Sequence, residues 1–282
     1  MVGRDAELAR LRDVWASAEA GHGQVVVVQA EAGTGKSRLV GGLVAELVEA
    51  GVPVASGEAT PLATQASYTA WRGVWADLLG VDEDSTPEEV VQAVAHLDPG
   101  LVGRAPLLGP VLGLEVPDSD LTATFDGELR KTSLEDLLGR LLAILAEEAA
   151  GVVLVLEDAH WLDPLSRDLL ESLSRTVVRA PVLLMVTSRP DGSAFAGLPL
   201  TRGGHVTDLV LESLGAEASA ALAQDRYHAL AGGEPPTGVL EMIVGRAEGN
   251  AFYLEQLVDY VLAHAARTDG GVDPDALELP PS

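Results

Sequence analysis

The sequence contains no cysteine, which excludes disulfides, thiolate metal sites and cysteine nucleophiles. Positive charge is scarce as well. The 18 lysines and arginines are outnumbered by 43 aspartates and glutamates, for a net charge of −25. Such a field repels phosphate backbones and anionic lipid surfaces, so neither direct nucleic-acid contact nor membrane binding is expected. Long apolar runs are missing too: Val25 to Val28 and Val152 to Leu156 are strand-sized and far short of a bilayer span. Met1 is followed almost at once by Arg4 and Asp5 rather than by a hydrophobic segment, so no secretory leader is read and a cytoplasmic location is expected. There is no short-period repeat, and the low-complexity character is confined to a polar tail, Thr268 to Ser282.

What is present has the balance of a folded chain, 47% apolar and 22% charged over 282 residues. Hydrophobic periodicity organises it. Leu8, Leu11, Trp15 and Ala18 share one face of a helix over Asp5 to Ala20, with Asp5 as its expected N-cap. Gln24 to Ala30 reads as a strand buried on both faces, and Ser37 to Ala50 as an amphipathic helix stopping at Gly51. Val52 to Gly57 continues as a strand. Pro61 to Gly80 reads as loop and helix whose Tyr68, Trp71 and Trp75 belong in the core. Thr86-Pro87-Glu88-Glu89 is a capping box opening a helix to about Leu97, and Thr132 with Glu135 repeats that pattern before a leucine-rich helix ending near Gly151. Between them, Pro99 to Thr124 reads as an irregular insertion. Strands follow at Val152 to Asp158, Pro181 to Ser188 and Val206 to Leu211, with Asp163-Pro164 starting a helix to about Val178. Beyond Leu214 only helical patterns occur, at about 216–231, 237–248 and 250–266.

Strands alternating with helices predict an α/β fold, a parallel sheet flanked by helices with a small all-helical lid domain after it. The expected division is a first domain over 1–213, a helical lid over 214–266 and a C-terminal linker over 267–282. Ligands of such sheets sit at the carboxyl ends of the strands.

The residues that carry chemistry cluster at those ends. Ala30-Glu31-Ala32-Gly33-Thr34-Gly35-Lys36-Ser37 fits the phosphate loop GxxxxGK[ST] except for alanine at the first position. Its backbone amides, from Ala32, Gly33, Thr34 and Gly35 on to Arg38, would form an anion nest reinforced by the start of the next helix. Lys36, one of only two lysines, would place a mobile charge on the terminal phosphates, and Ser37 would offer its hydroxyl to Mg²⁺. Val152 to Leu156 runs into Glu157 and Asp158, a carboxylate pair suited to holding Mg²⁺ and polarising an attacking water, with the division of labour left open. Thr187-Ser188-Arg189 ends the next strand, so Arg189 would reach a γ-phosphate by charge-assisted hydrogen bonds. His160 and Asp163 read as structural, the latter as a helix N-cap. Asn250 is a natural N-cap for the last helix.

With these residues in hand, the chain resembles the ATPase module of signal-transducing NTPases with numerous domains, the STAND type of large LuxR-like (LAL) and antibiotic-pathway (SARP-type) bacterial regulators. The resemblance rests on Val2-Gly3-Arg4-Asp5-Ala6-Glu7-Leu8, the phosphate loop, Leu156 to Asp163, Thr187-Ser188-Arg189, and Gly249-Asn250-Ala251-Phe252-Tyr253-Leu254-Glu255. It implies that Val2, Gly3 and Arg4 lie beside adenine, that Glu157 is the Mg²⁺-side carboxylate, that Asp158 is the catalytic one, and that Arg189 senses phosphate. It also implies that Asn250 lies where the lid meets the nucleotide. The family has proline where this chain has Ala251. A Leu279 to Ser282-like segment precedes further helical and effector domains in the family, so an output domain of a longer chain is the expected partner, with self-association on ATP binding.

The implied activity is a slow ATP-hydrolysing switch using ATP or ADP and Mg²⁺. A non-hydrolysing ATP/ADP sensor is the alternative. A small-molecule kinase fits less well, because Arg226, Arg246 and Arg267 are too widely spaced for an arginine-rich lid.

Overall fold

The computed structural model describes residues 2–61, 67–190, 204–236 and 238–265. The 267–282 linker and the Leu279 to Ser282 junction lie outside them. Helix α1 (Asp5–Glu19) begins on Asp5 itself, and the Arg4 carbonyl accepts the first helical bond from Leu8 N–H at 2.9 Å. Arg4, rather than the expected Asp5, therefore occupies the cap position, and Asp5 acts from the first turn as a charge complementing the helix dipole.

β1 (Gln24–Gln29) carries four consecutive buried valines, as a central parallel strand requires. After the loop, α2 (Lys36–Glu49) ends before Gly51, whose φ of +84° suits only glycine comfortably. β2 (Val54–Glu58) and α3 (Thr69–Leu79) follow, the latter burying Trp71 and Trp75 completely. α4 (Pro87–Leu97) opens with the expected capping box: Thr86 Oγ1 accepts from Glu89 N–H while the Glu89 carboxylate accepts from Thr86 N–H.

Two expectations fail in the next stretch. Pro99 to Thr124 is not irregular: it winds through a 3₁₀ helix (Pro99–Leu108), α5 (Gly109–Leu112) and a short 3₁₀ turn (Thr122–Thr124), burying Leu101, Leu107, Leu108, Val111 and Leu112. Proline and glycine stopped the regular α pattern without preventing burial. Nor does Thr132 cap a helix. α6 (Gly127–Glu148) starts earlier on Asp126, whose carboxylate accepts from Leu129 N–H at 2.8 Å. Thr132 sits inside that helix, and its hydroxyl donates back to the Glu128 carbonyl at 3.1 Å.

β3 (Val152–Glu157), β4 (Val182–Ser188) and β5 (Val206–Val210) complete the sheet, whose strand order is β2-β3-β4-β1-β5, and α7 (Pro164–Thr176) connects β3 to β4. β2 with β3, β3 with β4, and β4 with β1 are parallel pairs. The register places Gln29 opposite Ser188 and Glu58 opposite Glu157, so β1, β2, β3 and β4 end along one edge. The last helices are α8 (Ala216–Ala231), α9 (Val239–Ala247) and α10 (Ala251–Ala265).

In space the chain forms two compact units that do not follow chain order. One comprises the described parts of Met1–Ala9, Ala30–Gly42 and Val210–Ser282, and the other comprises those of Arg10–Gln29 and Leu43–Leu209. The second, larger unit has the sheet in its core together with α3, α4, α6 and α7. The first has its own core, in which Leu222, Ile243, Leu254, Leu257 and Val261 from α8, α9 and α10 are buried and Val2 packs alongside. No helix among the described residues is long and apolar enough to cross a membrane.

Candidate functional site

In the first unit, the loop from Ala30 to Ser37 leaves β1 and turns directly into α2. Gly33 and Gly35 adopt φ of +78° and +99°, a conformation that side chains disfavour. Ala30 is not among the positive-φ residues and is buried, so the alanine that replaces the first glycine of the pattern needs no special backbone. Lys36 Nζ donates to the carbonyls of Ala30 at 2.6 Å and Glu31 at 3.2 Å, folding the ammonium back over the loop. Thr34 Oγ1 donates to the Glu31 carbonyl at 2.9 Å and tightens the turn.

The first turn of α2 contains no acidic residue, so its positive end is not neutralised locally. A Cβ built on Gly35 would meet open space, which leaves room against the backbone there. Two left-handed glycines, an uncompensated helix start and a lysine together fit a phosphate group.

The other residues implied to touch nucleotide are gathered around this loop. Arg4 is 7% exposed, and its guanidinium donates to Glu7 Oε1 at 2.9 Å and to the carbonyls of Thr34 at 3.2 Å and Glu212 at 2.6 Å. It is thus a clamp on the loop. Gly3, at φ +67°, packs so close to α8 that a Cβ would lie 2.5 Å from the Cβ of Ala218. Beside it Val2, Leu214, Leu222 and Ala251 wall a narrow apolar slot whose polar side is Arg4, Thr34, Gly35 and Arg38. Arg38 pairs with Glu255 of α10 at 2.5 Å. Asn250 Nδ2 donates to the Ala32 carbonyl at 3.0 Å. The first unit therefore holds Val2, Gly3, Arg4, Ala32 to Arg38 and Asn250 as one cluster.

The second unit holds the remaining candidates at the end of its sheet. Glu157 is the last residue of β3, and Asp158 turns out of the strand with φ 52° and ψ 38°. Aspartate tolerates this left-handed conformation better than most residues. The turn is anchored, because Asp158 N–H donates to Thr187 Oγ1 of β4 at 3.0 Å. Both carboxylates are half-buried, while Arg189, one residue past β4, is exposed. The His160 side chain is only 4% exposed, with Nδ1 4.0 Å from Asp158 Oδ1 and its ring 5.0 Å from that of Trp161.

Asp163 is the N-cap of α7, accepting from Leu165 N–H, Ser166 N–H, the Ser166 hydroxyl and Tyr68 N–H. The oxygen donors Ser37 and Glu157 are chemically suited to Mg²⁺. No cluster of three or more His, Asp or Glu residues able to hold a metal occurs among the described residues. Sequence reasoning missed Thr187 as the support of Asp158, the Glu212 carbonyl under Arg4, and the slot residues Leu214 and Leu222. A carbonyl or a lone leucine leaves no motif.

Residues 1–186 match the family model described as AAA ATPase domain. The chain belongs to the AAA ATPase domain family. A relative, the uncharacterized protein R02095 of Rhizobium meliloti (strain 1021), is 30% identical over 202 residues, which make up 67% of this chain and 18% of that protein.

Among solved structures, the chain is similar to the Aeropyrum pernix ORC1 protein in complex with DNA, with 20% identity, TM-score 0.54, and coverage of 95% of this chain and 61% of that one. It is similar also to the Walker-type ATPase PABY2304 of Pyrococcus abyssi, with 17% identity, TM-score 0.53, and coverage of 94% and 69%. For a point mutant of Thermotoga maritima RuvB the values are 14%, 0.52, 98% and 68%. At these identities the structures speak for the fold, a P-loop NTPase sheet with a helical C-terminal part. Membership of the AAA ATPase domain family and the built loop make the chain an ATPase-type, nucleotide-binding domain.

Proposed function

We propose that this domain is a slow ATP-hydrolysing switch of the STAND type, serving a larger signalling or transcriptional regulator. The loop carries the reading: Gly33 and Gly35 at positive φ, Lys36, and a helix start free of acidic residues form a phosphate cradle. In this reading the base occupies the slot beside Val2 and Ala251. Ser37 and Glu157 supply oxygen ligands to the Mg²⁺ that neutralises the phosphates. Asp158 orients and deprotonates the attacking water, and Arg189 detects the γ-phosphate. ATP and ADP then favour different arrangements of the helical segment, biasing an attached output domain or the chain's own self-association. The relative of which the match covers only 18% supports a setting within longer chains. A net charge of −25 argues against direct DNA binding, whatever ORC1 does.

The test is Mg²⁺-dependent phosphate release by the purified chain beside Asp158→Asn. Release that is lost in the variant, with ADP binding kept, is the expected result. Tight ATP binding without release would replace the switch by a non-hydrolysing sensor. Release undiminished in the variant would remove Asp158 from the catalytic role.

A further inference from the structure

The carbonyls of the phosphate loop are taken up in sequence by donors from outside it. Asn250 Nδ2 donates to the Ala32 carbonyl at 3.0 Å, Phe252 N–H to the Gly33 carbonyl at 2.9 Å, and Arg4 Nη2 to the Thr34 carbonyl at 3.2 Å. A trans peptide is planar, and its C=O and following N–H point in opposite directions. No cis peptide bond occurs among the described residues. Fixing the Ala32 carbonyl therefore aims the Gly33 N–H away from Asn250, and fixing the Thr34 carbonyl aims the Gly35 N–H away from Arg4. An anion nest consists of such amides, held with their carbonyls turned outward.

We infer that Asn250 is a positioning residue of the phosphate loop and not a ligand of the nucleotide: its amide grips the Ala32 carbonyl and so presents the Gly33 N–H to phosphate. Arg4 does the same for the Gly35 N–H. The inference rests on the nucleotide reading above and assigns a role within it. Its geometry is close. A Cβ on Gly33 would come within 2.4 Å of Asn250 Oδ1, so this position must be glycine for Asn250 to approach. The same side chain caps α10, its Oδ1 accepting from Tyr253 N–H at 3.0 Å, so one residue ties the helix start to the loop backbone. Arg38 and Glu255 add an ion pair between α2 and α10.

The two jobs of Asn250 separate by substitution. In Asn250→Ser the hydroxyl still caps α10 but is too short to reach Ala32 as well. Asn250→Asp also caps, and its carboxylate accepts but cannot donate to a carbonyl. The experiment titrates Mg²⁺-free ADP into the unsubstituted chain and both variants, with thermal unfolding of each and amide exchange at Gly33. Leaving out Mg²⁺ removes the contribution of metal ligands.

The expected result is unfolding temperatures close to that of the unsubstituted chain, faster exchange at Gly33, and ADP affinity reduced roughly tenfold in Asn250→Ser, about the effect of one net hydrogen bond. The aspartate should lose more, through charge repulsion. Unchanged affinity in Asn250→Ser overturns the inference and leaves the function standing. So does an affinity loss that merely tracks a large fall in unfolding temperature in both variants. Failure of the unsubstituted chain to bind ADP at all would overturn the nucleotide reading, and this inference with it.

Discussion

Single side chains hold this molecule at points where backbone groups would otherwise be stranded. Asp163 is 6% exposed and satisfies three amides and a hydroxyl, two of the amides and the hydroxyl in its own α7 and the third at Tyr68. Asp163→Ala would leave them without their acceptor in a place water hardly reaches. A loss of about 2–4 kcal/mol is expected in urea unfolding, and an unshifted midpoint would contradict it. Tyr68 itself carries a second expectation. Burial, reinforced by the nearby Glu135 carboxylate, pushes its phenol up to about 12 from an ordinary 10.0. The fold thus favours the neutral phenol. Its contribution is complete below pH 10.0 and is lost as the pH rises towards about 12. Tyr68→Phe has no proton to lose, so its stability should fall less steeply across that window. Parallel alkaline unfolding curves would refute the assignment.

At the scale of elements, capping decides where α6 begins. Asp126→Ala should cost about 1 kcal/mol, whereas Thr132→Ala, which removes only a hydroxyl bonded back along the helix, should be nearly neutral. Equal effects in chemical unfolding would restore the capping role read from Thr132 and Glu135. The sequence pattern misled here because a threonine three residues before a glutamate looks the same inside a helix as at its start.

Elsewhere the order of elements was legible. Short runs rich in valine, bounded by turn residues, fit strands buried on both faces of a parallel sheet, and the capping box at Thr86 has a geometric meaning of its own. The phosphate loop was legible because its spacing encodes a backbone shape. What stayed hidden was the compaction of Pro99 to Thr124, where breakers of α-helix still permit 3₁₀ turns with buried leucines. Also hidden were the donors that grip the loop, since no spacing links Arg4 or Asn250 to carbonyls that lie 30 and 218 residues away in the chain.

For the whole molecule, the grouping of the chain start, the phosphate loop and the terminal helices into one unit puts the phosphate loop, Val2 to Arg4 and Asn250 on a body with its own hydrophobic core. In that body Lys36 is the loop's own cation, and the account depends on it. Calorimetric titration of ATP·Mg²⁺ into the chain and into Lys36→Ala tests this most directly. Loss of a charge-assisted contact is worth about 1.5–3 kcal/mol, so the variant should bind roughly ten- to hundredfold more weakly while remaining folded. Equal affinity in the two proteins would contradict the assignment of this loop as the phosphate site.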